Sequence, residues 1–185
     1  MNTTALIVAL CIVLVLIALI IIFIRQRKSD RLKAKFGSEY SRAVEESGGR
    51  GKGEAGLLER EKRVEGFSIK SLSAIDRDFY ADSWRRVQAE FVDDPNRAVT
   101  EADELLGKVM STRGYPVGDF EQRAADISVD HPVVVENYRT AHEIAVRHAG
   151  GQASTEDLRQ AMIHYRTLFD ELVVEPQAAG AKAAA

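Results

Sequence analysis

One cysteine serves the whole chain, Cys11. It can close no intramolecular disulfide, and a zinc site built on cysteines is excluded. That economy suits a reducing compartment. Zinc-protease chemistry is missing too. His142-Glu143 opens the helix signature of such enzymes, but the second histidine must follow four residues after the first, and position 146 is Val. His148 falls about 600° further round a helix and faces elsewhere. There is no G-x-S-x-G, no Walker loop and no dinucleotide glycine pattern. The basic, glycine-rich stretch Gly48 to Gly53 follows no strand and lacks the lysine-then-hydroxyl ending of a phosphate loop. Asp93-Asp94 would suit a cation, but a helix cap accounts for Asp94 without one. No catalytic residue, cofactor site or metal ligand is assigned, and the chain reads as a non-enzyme.

Charge is absent from the longest apolar run, Ala5 to Ile24, and so are Pro and Gly. Twenty residues at about 1.5 Å each span roughly 30 Å, the hydrocarbon thickness of a bilayer. Leu, Ile, Val and Phe each favour insertion, and a helix leaves no backbone group unpaired in lipid. A cleaved signal peptide would need a basic start and a small-residue cleavage site. Met1 to Thr4 carry no basic side chain, and the run ends in Arg25, Arg27 and Lys28. A lipoprotein site at Cys11 is opposed by the bulky Leu10 before it. The expectation is a retained single-pass helix over 5–24 that makes the lipid bilayer a partner.

Arg25, Arg27, Lys28, Arg31, Lys33 and Lys35 all follow that run, and none precedes it. The positive-inside rule then places residues 1–4 outside the cell membrane and the C-terminal domain in the cytoplasm. These six residues are also a candidate contact for anionic lipid, at about 1 kcal/mol each close to the surface. Setting topology alone is the simpler reading and the preferred one. Residues 1–35 carry a net charge of +5 and residues 36–185 a net charge of −8. An acidic domain behind a basic collar speaks against nucleic-acid binding, which needs a basic face on the domain itself.

Beyond the collar the pattern is all-α. Leu32, Phe36, Tyr40 and Val44 repeat every fourth residue and give a juxtamembrane helix within 25–46. Four glycines between Gly48 and Gly53 open a flexible linker, which with a short helix fills 47–72. Phe67, Ile69 and Leu72 read as an extended segment lying on the helices. A compact bundle of about four main helices follows over 73–174. Ser73 with Asp76 caps the first, whose apolar stripe is Ile75, Phe79, Trp84, Val87 and Phe91. Asp94-Pro95 starts the second, Ala98, Ala102, Leu105, Leu106, Val109 and Met110 mark its buried face, and Gly114 ends it. A short helix covers Asp119 to Asp126. His131-Pro132 begins the third main helix, and Ser154 with Asp157 caps the fourth. Tyr138-Arg139-Thr140 recurs as Tyr165-Arg166-Thr167, which reads as chance because the flanks do not align. The alanine-rich residues 175–185 are expected to be a disordered tail.

Five stretches carry a resemblance: Trp84-Arg85-Arg86-Val87-Gln88, Phe91-Val92-Asp93-Asp94-Pro95, Arg113-Gly114-Tyr115-Pro116, Ser128-Val129-Asp130-His131-Pro132, and Ser154 to Met162. Through them most of 36–174 resembles a bacterial family of uncharacterised proteins with one predicted N-terminal membrane helix, described as membrane or secreted proteins. The resemblance implies an anchored helical domain and brings no catalytic residue. Its "secreted" wording conflicts with the topology argued from charge, and charge is preferred here.

One candidate partner-binding patch remains: Arg113, Tyr115, Asp130, His131 and Arg139. It rests on two tight turns meeting at one end of the bundle, where binding residues are often presented. Turn and cap duties alone would also explain these residues, and that is the preferred reading. The function that follows is a membrane-tethered interaction or scaffold module with an unidentified protein partner. The alternative is a small-ligand or enzymatic pocket between helices.

Overall fold

The computed structural model describes residues 3–174. They form eight helices and no strand: α1 (Thr3–Phe36), α2 (Ser38–Glu46), α3 (Arg50–Glu65), α4 (Ala74–Asp93), α5 (Pro95–Arg113), α6 (Phe120–Asp130), α7 (Val135–Ala149) and α8 (Thr155–Val174). The chain divides into two compact units, Met1–Leu57 and Leu58–Ala185. The expected disordered tail, 175–185, lies outside the described residues.

In the first unit, α1 runs unbroken for 34 residues, about 51 Å at the usual helical rise. Its segment from Leu10 is long and apolar enough to cross a membrane. The large apolar side chains between Leu10 and Ile24 stay about half exposed among the described residues. Further along, Ser29, Leu32 and Phe36 are fully buried. Spaced three and four apart, they make one face of α1, and α2 packs on α1.

The glycine-rich stretch departs from the expected flexible linker. Only Ser47, Gly48 and Gly49 form a turn, and Gly51, Gly53 and Gly56 lie inside α3. A helical glycine costs about 1 kcal/mol relative to alanine. Gly53 has a packing reason, since a β-carbon there would lie 2.7 Å from Val44 Cα on α2. Close approach of two helices, rather than looseness, explains that position.

The second unit is built on caps that the local sequence supplies. Ser73 Oγ accepts from Asp76 N at 3.1 Å to open α4. Asp94 Oδ1 accepts from Arg97 N at 3.0 Å, with Pro95 in the first turn of α5. Asp119 caps α6 through Gln122 N. Ser154 and Asp157 cap α8 reciprocally, N–H to side chain in both directions. Helices α4, α5, α7 and α8 share one apolar core, with α6 packed on α7. Leu105, Leu106, Val109, Tyr138, Leu158, Tyr165 and Leu172 are among its members. Trp84 stacks on Phe169 with ring centroids 4.7 Å apart. Phe67 and Ile69 lie against this core from an extended segment, pinned where Lys70 N donates to Arg113 O at 2.8 Å.

Three local expectations shift. Ile75 and Phe79 do not face the core, being 81% and 59% exposed. Tyr80, Trp84, Val87 and Phe91 form the inward row, and at 100° per residue Ile75 and Phe79 point roughly opposite to it. Helix α6 extends past Asp126 to Asp130. His131 does not begin a helix: it is the C-cap of α6, its amide bonding Ile127 O at 2.8 Å, and α7 starts at Val135. The repeated Tyr-Arg-Thr triplets place both tyrosines in the α7–α8 interface, with ring centroids 6.1 Å apart.

Candidate functional site

Helix α1 positions the basic collar. Arg25, Arg27, Lys28, Arg31, Lys33 and Lys35 are all exposed. They continue the same helix that carries the apolar run, so no loop intervenes between the last Ile and the first cations. Beside them sits a polar cluster. The Tyr40 hydroxyl lies 3.0 Å from Ser29 Oγ and donates to Glu54 Oε1 at 2.8 Å, where Arg50 Nε also donates at 2.8 Å. Burial pushes the Glu54 carboxyl up, but hydrogen bonds from Arg50, Ser29 and Tyr40 outweigh it and bring it down to about 2. This cluster ties α1, α2 and α3 together within the first unit.

In the second unit the two turns of the candidate patch do meet: Tyr115 Oη donates to Asp130 Oδ2 at 2.8 Å. Only Asp130 is exposed. Arg113 and Tyr115 are each 2% exposed, and His131 and Arg139 are also buried. The patch is therefore mostly an interior polar assembly rather than a presented surface. Arg113 Nη1 donates to Leu172 O at 3.1 Å, fastening the end of α5 to α8. Burial, and the Asp130 carboxylate beside it, push the Tyr115 phenol well above its ordinary range, so it stays a neutral donor. Nearby, Asp126 is 1% exposed and accepts from Arg63 Nε and Nη2 and from Gln122 Nε2. His131 Nδ1 lies 2.8 Å from Glu171 Oε1. Arg139 stands apart, its Nη1 donating to Glu121 Oε2 at 2.8 Å.

A further assembly had no signature in the sequence. Asp103 on α5, Arg123 on α6, Tyr138 on α7 and Tyr165 on α8 converge, with Arg123 Nη2 donating to Asp103 Oδ2 at 2.8 Å. The nearest signal was Gly107, a glycine within a helix. A β-carbon there would lie 2.7 Å from Arg123 Nη1, so its absence leaves room for the guanidinium.

Among the described residues, no group of three or more His, Cys, Asp or Glu is arranged to hold a metal ion. His142 stacks on Phe120 with centroids 3.5 Å apart, and burial lowers its pKa. His164 lies 2.8 Å from Asn137 Oδ1. Two grooves open to solvent along α4. One, against α8, is lined by Gln88, Phe91, Arg159, Met162, Ile163 and Arg166. The other, against α5, includes Phe79, Arg86, Glu101, Glu104 and Lys108. No protein-family model, curated protein or solved structure matches the chain.

Proposed function

We propose that the chain is a single-pass, membrane-anchored, non-enzymatic interaction module, with its acidic helical domain at the inner face of a bacterial cell membrane. One observation carries the reading. The apolar side chains of α1 between Leu10 and Ile24 stay about half exposed among the described residues, and this stretch passes directly into six exposed cations. Exposed apolar surface of that extent is unfavourable in water and favourable in lipid. The cations hold their end on the cytoplasmic side. The four main helices within 73–174 form the module that meets a protein partner. Tethering both to one membrane raises their effective concentration without any new contact. The net charge of −8 over 36–185 disfavours nucleic acid as that partner.

The test is fractionation and in-cell cross-linking of the full-length chain. The protein should stay with membranes through alkaline carbonate, and cross-linkers placed on exposed α4 and α8 positions should capture a membrane-bound protein. Release into the carbonate supernatant would remove the anchor from the account. Retention with no protein adduct from either helix would remove the interaction role.

A further inference from the structure

Helices α4 and α8 join where Trp84 stacks on Phe169. Further along, an open groove runs between them, lined by Gln88 and Phe91 of α4 and by Arg159, Met162, Ile163 and Arg166 of α8. Its apolar lining is graded: Met162 is buried, Phe91 half-buried and Ile163 45% exposed. Val92, one turn beyond Gln88, is 84% exposed and lies on the same side of α4 by helical spacing. The charge on the lining is of one sign, two arginines and no acid, although residues 36–185 carry a net −8. The four α8 residues are spaced i, i+3, i+4 and i+7. They make one stripe, with a cation at each end, about 10 Å apart along the axis, and apolar side chains between.

We propose that this groove docks an amphipathic helix of a protein partner, whose apolar stripe covers Met162 and Ile163 and whose acidic residues, two turns apart, pair with Arg159 and Arg166. The inference rests on the interaction role proposed above and gives that partner its chemistry.

Charge complementarity selects the occupant. Arg159 donates Nε and Nη2 to Glu156, and Arg166 donates Nε to Asp170 at 3.4 Å. Both pairs are about half exposed, where such contacts are worth about 1 kcal/mol or less. Each guanidinium has five N–H donors, so both keep donors for a second carboxylate. A carboxylate seated over the apolar lining sheds water, and its attraction to the guanidinium is screened less than that of Glu156 or Asp170. A helix suits an apolar floor better than an extended strand, because its own backbone groups are already paired. The acidic remainder of the domain repels the same helix and so favours this face.

The probe is a fluorescent, stapled helical peptide with Glu at i and i+7 and Leu at i+3 and i+4. A second peptide carries Lys in place of Glu, and a third scrambles the first. Anisotropy is read on the full chain in nanodiscs of zwitterionic lipid, with empty nanodiscs subtracted. The Glu peptide should bind saturably below about 1 mM. Arg159→Glu combined with Arg166→Glu should weaken it about tenfold. Arg147→Glu, at an exposed position on α7 that does not line the groove, should leave it unchanged. The Lys peptide should bind the double variant better than the native chain, a gain that misfolding cannot produce. No saturable binding of the Glu peptide, equal binding of the scrambled one, or affinities that the arginine reversals leave unmoved would overturn the proposal. Self-association of the full chain that the same reversals abolish would give the groove to a second copy and overturn it too. None of these failures removes the interaction role while cross-linkers on α4 and α8 still capture a protein; loss of those adducts removes both.

Discussion

Replacing Gly114 with alanine tests how the α5 terminus and the extended segment before α4 are held together. Gly114 has φ +101°, and its missing β-carbon faces Ser68 O, with Ser68 C 3.1 Å and Ile69 Cα 3.5 Å away. Left-handed backbone costs a non-glycine residue about 1–2 kcal/mol. The methyl also collides with the Ser68 carbonyl, so the segment must retreat. Its retreat breaks the Lys70 N to Arg113 O hydrogen bond, at about 1 kcal/mol. The total is about 2–3 kcal/mol. Gly151 supplies the control: its φ is +71°, but nothing lies within 4 Å of the added carbon. Gly151→Ala should therefore cost only the backbone term, about 1–2 kcal/mol. Urea unfolding of the full chain in detergent, followed by Trp84 fluorescence, measures both. If Gly114→Ala is no more destabilising than Gly151→Ala, the close seating of residues 66–73 on the α5 terminus is refuted.

Three further outcomes are expected. Asp126→Ala strips a buried carboxylate from Arg63 and Gln122, and thermal unfolding should show a loss of about 3 kcal/mol, with Asp126→Asn losing less. The Glu54 carboxyl titrates at about 2 when folded and near 4.5 when unfolded, so its contribution is whole above about pH 4.5 and fades as pH falls toward 2. Hydrogen exchange should show α2 and the start of α3 less protected at pH 3 than at pH 6, after correction for intrinsic rates, and Glu54→Gln should flatten that difference. Tyr115→Phe removes one hydrogen bond to Asp130 and should cost about 1 kcal/mol by urea unfolding.

What could be read from sequence was what local chemistry decides. Ser73, Asp94-Pro95, Gly114 and Ser154 mark helix ends because a cap needs only residues within one turn. The buried face of α5 was equally legible, since Ala98 to Met110 follow a single helical row. Helix α4 carries apolar residues on both sides, so its period alone did not distinguish Ile75 and Phe79 from the inward row. The glycines of 48–56 suggested a linker by composition, whereas Gly53 is set by the neighbouring helix. His131-Pro132 resembled a helix start, but the hydrogen bond that caps α6 at His131 dominates there. The polar assemblies were the least visible. Asp103, Arg123, Tyr138 and Tyr165 are separated by up to 62 positions and meet only through tertiary packing. Arg113 and Tyr115 looked like presented turn residues because nothing local shows that α8 and Asp130 receive them.

The most direct test of the central claim is the accessibility of the C-terminus in intact cells. A protease site and an affinity tag placed after Ala185 of the full-length chain should be protected in whole cells and cleaved once the membrane is opened, with the protein keeping its first thirty residues. Cleavage from outside intact cells, or a mature form that has lost α1, would contradict the account.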